Sequence, residues 1–471
     1  MFLGIAFSGC HAADVTAASA PFVSGSRLRA MVEQADGGPA LFRGWYDSTF
    51  QSACDFTFAE DGALRCLPIP GTLQVAFADA LCTERIFLGG ACDVPRHAAV
   101  ELPSQDDDPC AWPEYRYEVY EVGEELHPSE VHFGNGDGTC GEAVPAGTAV
   151  VHAIGAKASA DAFVRASFED EPRGPRLAVR YLVGEDGSRQ FTSILDGSTE
   201  CWPHALVDGH ERCLPADGYA YAPGYRFADA ACTDVVAHDP RRPMEDCPAA
   251  TLILRWEPGE CGEWGTESLL EAGAPLAPDG GFHFVDGACA PIDHGAEGQP
   301  FLLTLGPAVD VSAYPEVLRQ EVGTGRIRSQ VLTTESGEAL GMPDGHFDLE
   351  ADRDCYATDF EDGTKRCVPV GAAQLQDNFA DPACTDEVVQ VDDVIPECPE
   401  APPAYAYRIA TTACASLVAE VLPIEGEMDG TDIYYASPDG CVLQYVGLDG
   451  FHLLGDPVSP DTFATVASYT E

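Results

Sequence analysis

The stretch CDFTFAEDGALRCLP, residues 54–68, decides the fold. Asp61-Gly62 lies between two short runs of strand-forming character. An Asp-Gly pair in that setting is a strong hairpin signal, because glycine takes the positive φ that a tight turn between right-twisted strands requires. Cys54 and Cys66 stand twelve residues apart on either side of the turn. Placed opposite each other on paired strands, two cysteines bring their Cβ atoms within bridging distance. The stretch predicts a hairpin closed by a disulfide.

It is written three times. The signature Asp-Gly-x-x-Arg-Cys-x-Pro occurs at Asp61–Pro68, Asp208–Pro215 and Asp362–Pro369, with Cys54–Cys66, Cys201–Cys213 and Cys355–Cys367 as the predicted hairpin bridges. A second signature, Phe-Ala-Asp-x-x-Cys-Thr, follows each copy at Phe77–Thr83, Phe227–Thr233 and Phe379–Thr385. An Arg-Leu or Arg-Ile pair opens each unit at Arg27, Arg176 and Arg326, spaced by 149 and 150 residues. Self-similarity at a fixed period marks a repeat protein. The expected organisation is a truncated lipoprotein signal peptide (1–10), a tether (11–26) and three repeats (27–171, 172–321 and 322–471).

Short alternating or aromatic runs such as Leu41–Tyr46, Cys54–Phe58 and Tyr115–Val122 are separated by Gly, Asp and Pro, which are strand and turn signals. With 47 Gly and 36 Pro there is little room for long helices. The class is all-β. A further Asp-Gly pair precedes a cysteine in each unit, at Asp137-Gly138 before Cys140, Asp286-Gly287 before Cys289 and Asp439-Gly440 before Cys441. Each unit therefore divides into two halves of roughly four strands. Six such halves predict a six-bladed β-propeller, with three tandem β domains as the alternative. Phe463–Tyr469 resembles Phe163–Phe168, the run that precedes the second unit, so the last strand finds a partner only if the chain returns to its beginning.

In the second and third units the remaining cysteines pair in order as Cys232 with Cys247, Cys261 with Cys289, Cys384 with Cys398 and Cys414 with Cys441. The first unit breaks step. Either Cys82–Cys110 with Cys92–Cys140, or Cys82–Cys92 with Cys110–Cys140, completes its set, and spacing does not choose between them. No Cys-x-x-Cys occurs, and histidines do not accompany the recurring cysteines at ligand spacing, which argues for disulfides over zinc. Disulfides in turn place the chain in an oxidising compartment.

The acidic residues outnumber the basic by 78 to 25, a formal charge of −53, and this excludes nucleic acid as a partner. The leader Met1–Gly9 is apolar and ends in Phe7-Ser8-Gly9-Cys10. This resembles the lipobox of bacterial lipoproteins, which would make Cys10 the site of lipid attachment and the membrane a partner through that anchor. Together with the two repeat signatures and the acidic, arginine-biased composition, it resembles the uncharacterised cysteine-containing repeat lipoproteins of myxobacteria over residues 27–471. The resemblance implies a surface or periplasmic location and no particular activity.

Motifs of catalysis are few. The chain contains no His-Glu-x-x-His, Gly-x-Ser-x-Gly, Gly-x-Gly-x-x-Gly or Walker pattern. Asn135-Gly136-Asp137-Gly138 hints at calcium but lacks the spaced oxygen ligands and the terminal Glu, and reads as a turn. No cofactor is expected. Asp79, Asp229 and Asp381, and likewise Arg65, Arg212 and Arg366, recur in every unit. Their expected roles are to cap turns and to pair with nearby carboxylates. His132 and His283 are aligned with each other, and with Tyr434-Tyr435 in the third unit. Trp45-Tyr46 and other aromatics either stack on sugars or fill the core. The expected function is that of a monomeric, non-enzymatic envelope module that binds a polysaccharide or envelope protein, or serves a structural role. The alternative is a propeller hydrolase or lyase with a carboxylate or metal site in its channel.

Overall fold

The computed structural model describes residues 21–471 except 70–72, 90–93, 103–114, 136–138, 148, 217, 223, 240–249, 258–264, 277–279, 286–287, 293–300, 342–343, 370–372, 376–377, 391–404, 412–415, 429–430, 438–439 and 449–450. The chain is all-β: among the described residues every element is a strand or a single 3-10 turn.

One long antiparallel ladder carries the architecture. Strands β1 (Leu28–Ala35), β2 (Ala40–Asp47), β3 (Ser52–Ala59) and β4 (Leu64–Pro68) form a meander. It continues through an Arg65–Arg165 bridge to β5 (Ala166–Arg173), β6 (Leu177–Gly184), β7 (Arg189–Asp196), β8 (Thr199–Ala205) and β9 (Glu211–Pro215). Then follow β10 (Glu316–Val322), β11 (Ile327–Thr333), β12 (Asp344–Asp348), β13 (Arg353–Asp359), β14 (Lys365–Pro369) and β15 (Thr465–Thr470). The last strand pairs on one side with β14 and on the other with β1, where Met31 lies opposite Thr470 and Ala35 opposite Val466. The ladder thus returns to its start, and pairing with β15 covers the edges of β1 and β14 that another chain could otherwise recruit.

Sequence alternation explains the inward faces. On β1, Leu28, Ala30 and Val32 are buried against Trp45, Cys54, Cys66 and Val164, and on β6 Leu177, Val179 and Tyr181 do the same against Ile194, Cys201 and Cys213. A bulge at Arg43 on β2 shifts the β1–β2 register between Met31 and Val32, and the adjacent Gly44 holds φ +134, a conformation that L side chains rarely adopt. Arg27, Arg176 and Arg326, which open the three stretches, each fork onto the carboxylate that ends the next strand: Asp47, Asp196 and Asp348. Planar bidentate pairing of this kind sets geometry as well as energy.

Between β4 and β5, β9 and β10, and β14 and β15, the chain leaves the ring and builds a smaller sheet. In the second case Tyr219–Ala222, Val236–Asp239, Phe301–Ala308, Thr266–Pro275 and Leu252–Glu257 close into a five-stranded barrel around Ala220, Ala237, Ile253 and Leu303. The first case pairs Gln74–Phe77, Arg85–Gly89, Val150–Lys157, Arg116–Leu126 and His97–Leu102. The third combines Tyr405–Thr411, Ser416–Met428, Phe451–Leu454 and Glu387–Gln390. Six separate four-stranded blades are therefore not seen among the described residues. Which strands become neighbours depends on which open edges meet, and every strand edge offers the same backbone groups, so spacing along the chain does not fix it.

Six disulfides are present among the described residues. Cys54–Cys66, Cys201–Cys213 and Cys355–Cys367 staple the β3–β4, β8–β9 and β13–β14 hairpins, with Cα atoms 5.2–5.3 Å apart. The other three run Cys82–Cys140, Cys232–Cys289 and Cys384–Cys441, over 57 or 58 residues. They replace the sequential pairings of Cys82, Cys232 and Cys384 with their near neighbours, and those of Cys140, Cys289 and Cys441. The reason is a long-range strand contact. Phe77 pairs with His132, Phe227 with Phe282 and Phe379 with Tyr434, which draws each Phe-Ala-Asp turn alongside the later hairpin. The remaining predicted bridge residues, Cys92, Cys110, Cys247, Cys261, Cys398 and Cys414, lie outside the described residues, as does Cys10. The bridges indicate an oxidising, extracellular or envelope setting. Among the described residues no helix is long and apolar enough to cross a membrane.

Candidate functional site

The recurring polar residues are turn and seam contacts. Asp79 accepts the backbone N–H groups of Thr83 and Glu84 and the Thr83 hydroxyl, and Asp229 and Asp381 repeat this with Thr233, Asp234, Thr385 and Asp386. These bonds hold the Asp79 and Asp229 carboxyls down at about 2, led by the N–H of residue 84 or 234. The anchored turn sets Cys82, Cys232 and Cys384 at φ +52 to +53, a left-handed position fixed by the bridge that follows.

Arg65 hydrogen-bonds Asp61 on its own hairpin, the Phe163 carbonyl and Asp161, so it ties β4 to the segment entering β5. Arg212 does the same with Asp208 and the Tyr314 carbonyl, and Arg366 with Asp362 and Asp461. All three arginines are structural rivets between ring segments.

The histidine alignment shifts by one residue. Phe77 faces His132, whereas the equivalent Phe227 faces Phe282 and Phe379 faces Tyr434, so His132 is level with Phe282 rather than with His283. A one-residue slip in a strand reverses the side-chain face, and the two histidines do not form a recurring pair. Trp45 belongs to the core, fully buried, with its indole N–H donating to Gln190. Among the described residues no three His, Cys, Asp or Glu side chains converge as a metal-ligand set, and residues 136–138 of the calcium-like stretch lie outside them.

What differs between the three stretches is more informative. Residues Thr57, His204 and Thr358 lie opposite Arg65, Arg212 and Arg366, and the parallel bridges Ala59–Tyr117, Leu206–Glu267 and Phe360–Val418 define a second set of matching positions. Only in the middle stretch are these positions a histidine and a carboxylate, and there the His204 Nδ1 lies 2.5 Å from a Glu267 oxygen. Glu267 stands opposite Trp256 across the Leu252–Glu257/Thr266–Pro275 pair, and Trp202 precedes His204 by two residues on the same face of β8. Trp202 and Trp256 are 54% and 49% exposed. Trp256 lies over Gly265, where a Cβ would fall 2.3 Å from its Nε1.

Behind this group stands Tyr219. Its ring lies 6.3 Å from the His204 imidazole, the residue is 5% exposed, and its hydroxyl finds no hydrogen-bond partner. Burial pushes the phenol well above its ordinary pKa, so it stays a neutral donor. Sequence reading missed this group because its members are spread over 66 residues and match no motif. The signal available was their contrast with Thr57 and Tyr117, and with Thr358 and Val418, at the matching positions.

A concave feature of the first stretch is a cavity of about 550 Å³ lined by Leu73, Val75, Phe77, Arg85, Glu101 and Tyr117. That volume falls in the range of small-molecule sites. Burial and the nearby Glu101 raise the Tyr117 phenol. Arg85 is exposed and makes no ion pair with the described residues.

In comparison with known proteins, residues 2–424 match the model of a family described as "Family of unknown function (DUF7481)". No curated protein matches the chain, and no solved structure does.

Proposed function

We propose that the chain, which belongs to the DUF7481 family of unknown function, is a non-enzymatic binding protein of the bacterial envelope. In this reading it is a threefold repeat, held at the membrane by lipid on Cys10 through the tether 11–26, and it presents one specialised surface to an extracellular ligand or envelope partner.

The observation that carries the proposal is the contrast between copied and uncopied contacts. The Arg27-, Arg65- and Asp79-type interactions occur in all three stretches and build a rigid frame, while the His204–Glu267 pair with its exposed tryptophans occurs in one. Frame contacts must be kept wherever the frame recurs, whereas a binding surface needs a single copy. The excess of negative charge supports solubility of an exposed ectodomain and argues against polyanionic partners.

The test is sedimentation of the full chain with purified envelope fractions. Saturable binding supports the proposal, and absence of binding to any fraction overturns it. Metabolic fatty-acid labelling that is lost in Cys10→Ala supports the anchor, and equal labelling of that variant rejects it.

A further inference from the structure

We infer that Trp202, His204, Glu267 and Trp256 form a subsite for a neutral polysaccharide, an inference that rests on the binding role proposed above. The residues follow one another across the surface. Trp202 and His204 are two positions apart on one strand face, about 7 Å along the strand. His204 meets Glu267 at 2.5 Å, and Glu267 faces Trp256 in a cross-strand pair, whose Cβ atoms stand about 5 Å apart. Two exposed indoles therefore bracket a polar pair.

A sugar ring matches this order chemically. Its C–H faces are apolar and lie flat on an aromatic ring, while its rim of hydroxyls both donates and accepts. Glu267 accepts, and the imidazole offers whichever role its bond to Glu267 leaves open. A purely apolar protein anchor laid over the same surface would strip water from His204 and Glu267 and return no hydrogen bonds, which is costly. Hydroxyls avoid that cost. The glycan must be neutral, because Glu267 and the formal charge of −53 repel sulfated or uronate-rich chains.

The test titrates the intact chain with neutral gluco- and manno-oligosaccharides, using a sulfated and a carboxylated polysaccharide as controls, and reads tryptophan fluorescence and calorimetry. We expect saturable binding of at least one neutral glycan and none of the anionic controls. Trp256→Ala and Trp202→Ala should each weaken binding about tenfold or more, the scale of a lost stacking contact. Glu267→Gln should weaken it less, since an amide oxygen still accepts. Both tryptophans are exposed, so their variants should keep the wild-type circular dichroism.

Failure of every neutral glycan to bind, or binding that is unchanged in Trp202→Ala/Trp256→Ala, overturns the inference. Envelope sedimentation in a Cys10→Ala background, which cannot carry the lipid, separates the two levels. If the double variant still binds envelope fractions like wild type, the saccharide site falls and the binding role stands; if neither protein binds, both fall.

Discussion

Glu33 on β1 and Lys365 on β14, 332 residues apart along the chain, meet at 2.7 Å. They reach round β15 from either side and lock the seam where the ladder returns to its start. Burial works to raise the Glu33 carboxyl, yet hydrogen bonds from Lys365 and Arg43 bring it below its ordinary value. The chain has only two lysines, and the other, Lys157, binds Glu60 and Glu118, joining the ring to the first outer sheet.

Lys365→Ala should leave the 8% exposed Glu33 with Arg43 alone. The expected cost is about 1.5–3 kcal/mol, the range for hydrogen bonds to charged groups, measured by urea unfolding at neutral pH. Truncation before Pro460 should do more. It removes β15 and exposes the edges of β1 and β14, so light scattering should report association of the shortened chain. A truncated protein that remains monomeric and as stable as the full chain would show that ring closure contributes nothing.

Non-reducing peptide mapping should recover Cys82–Cys140, Cys232–Cys289 and Cys384–Cys441 as well as the three hairpin bridges. On the chain-entropy account, losing a hairpin bridge costs about 3 kcal/mol and losing a long one about 4 kcal/mol. The Cys82→Ala/Cys140→Ala double variant should accordingly unfold at lower denaturant than Cys54→Ala/Cys66→Ala. The reverse order would mean that strain or residual structure outweighs loop length.

Acid should destabilise the protein in two windows. His346 is 2% exposed, neither ring nitrogen has a partner, and burial lowers its pKa. With the folded value below the unfolded one, the unfolded chain takes up the extra proton, so stability falls as pH drops below about 6.5. The same sign holds for His97 and His238. Asp79 and Asp229, at about 2, contribute stability that is present above about pH 4 and lost as pH falls toward 2. Thermal melts of His346→Leu should flatten the upper window. An Asp79→Asn/Asp229→Asn/Asp381→Asn variant should flatten the lower one, because each Asn oxygen still accepts the turn N–H groups without titrating.

Gly265→Val should displace the Trp256 indole, since its Cβ would fall 2.3 Å from Nε1 and 2.6 Å from the Glu257 carbonyl. The expected readout is a changed tryptophan emission with an unaltered disulfide map. Tyr219→Phe should change stability by less than about 1 kcal/mol or raise it, because it removes a buried hydroxyl that has no partner. A large loss would reveal a hidden bond at that oxygen.

By itself the sequence determined what local rules control. Asp-Gly turns, alternation and cysteines twelve apart specify the β3–β4, β8–β9 and β13–β14 hairpins and their staples, because strand partners a few residues apart have little choice of register. The recurrence of Phe163–Phe168 as Phe463–Tyr469 likewise pointed to a last strand that must find its partner at the start of the chain. Only the tertiary structure decided which edges join. The carbonyls and amides along any strand are chemically alike, so sequence spacing pointed to a six-bladed propeller ahead of tandem domains and did not foresee one continuous ladder. For the same reason Cys82 finds Cys140 rather than a nearer cysteine, and His204 finds Glu267. The first depends on the Phe77–His132 strand contact and the second on how the barrel packs against the ladder, relations no short stretch of chain contains.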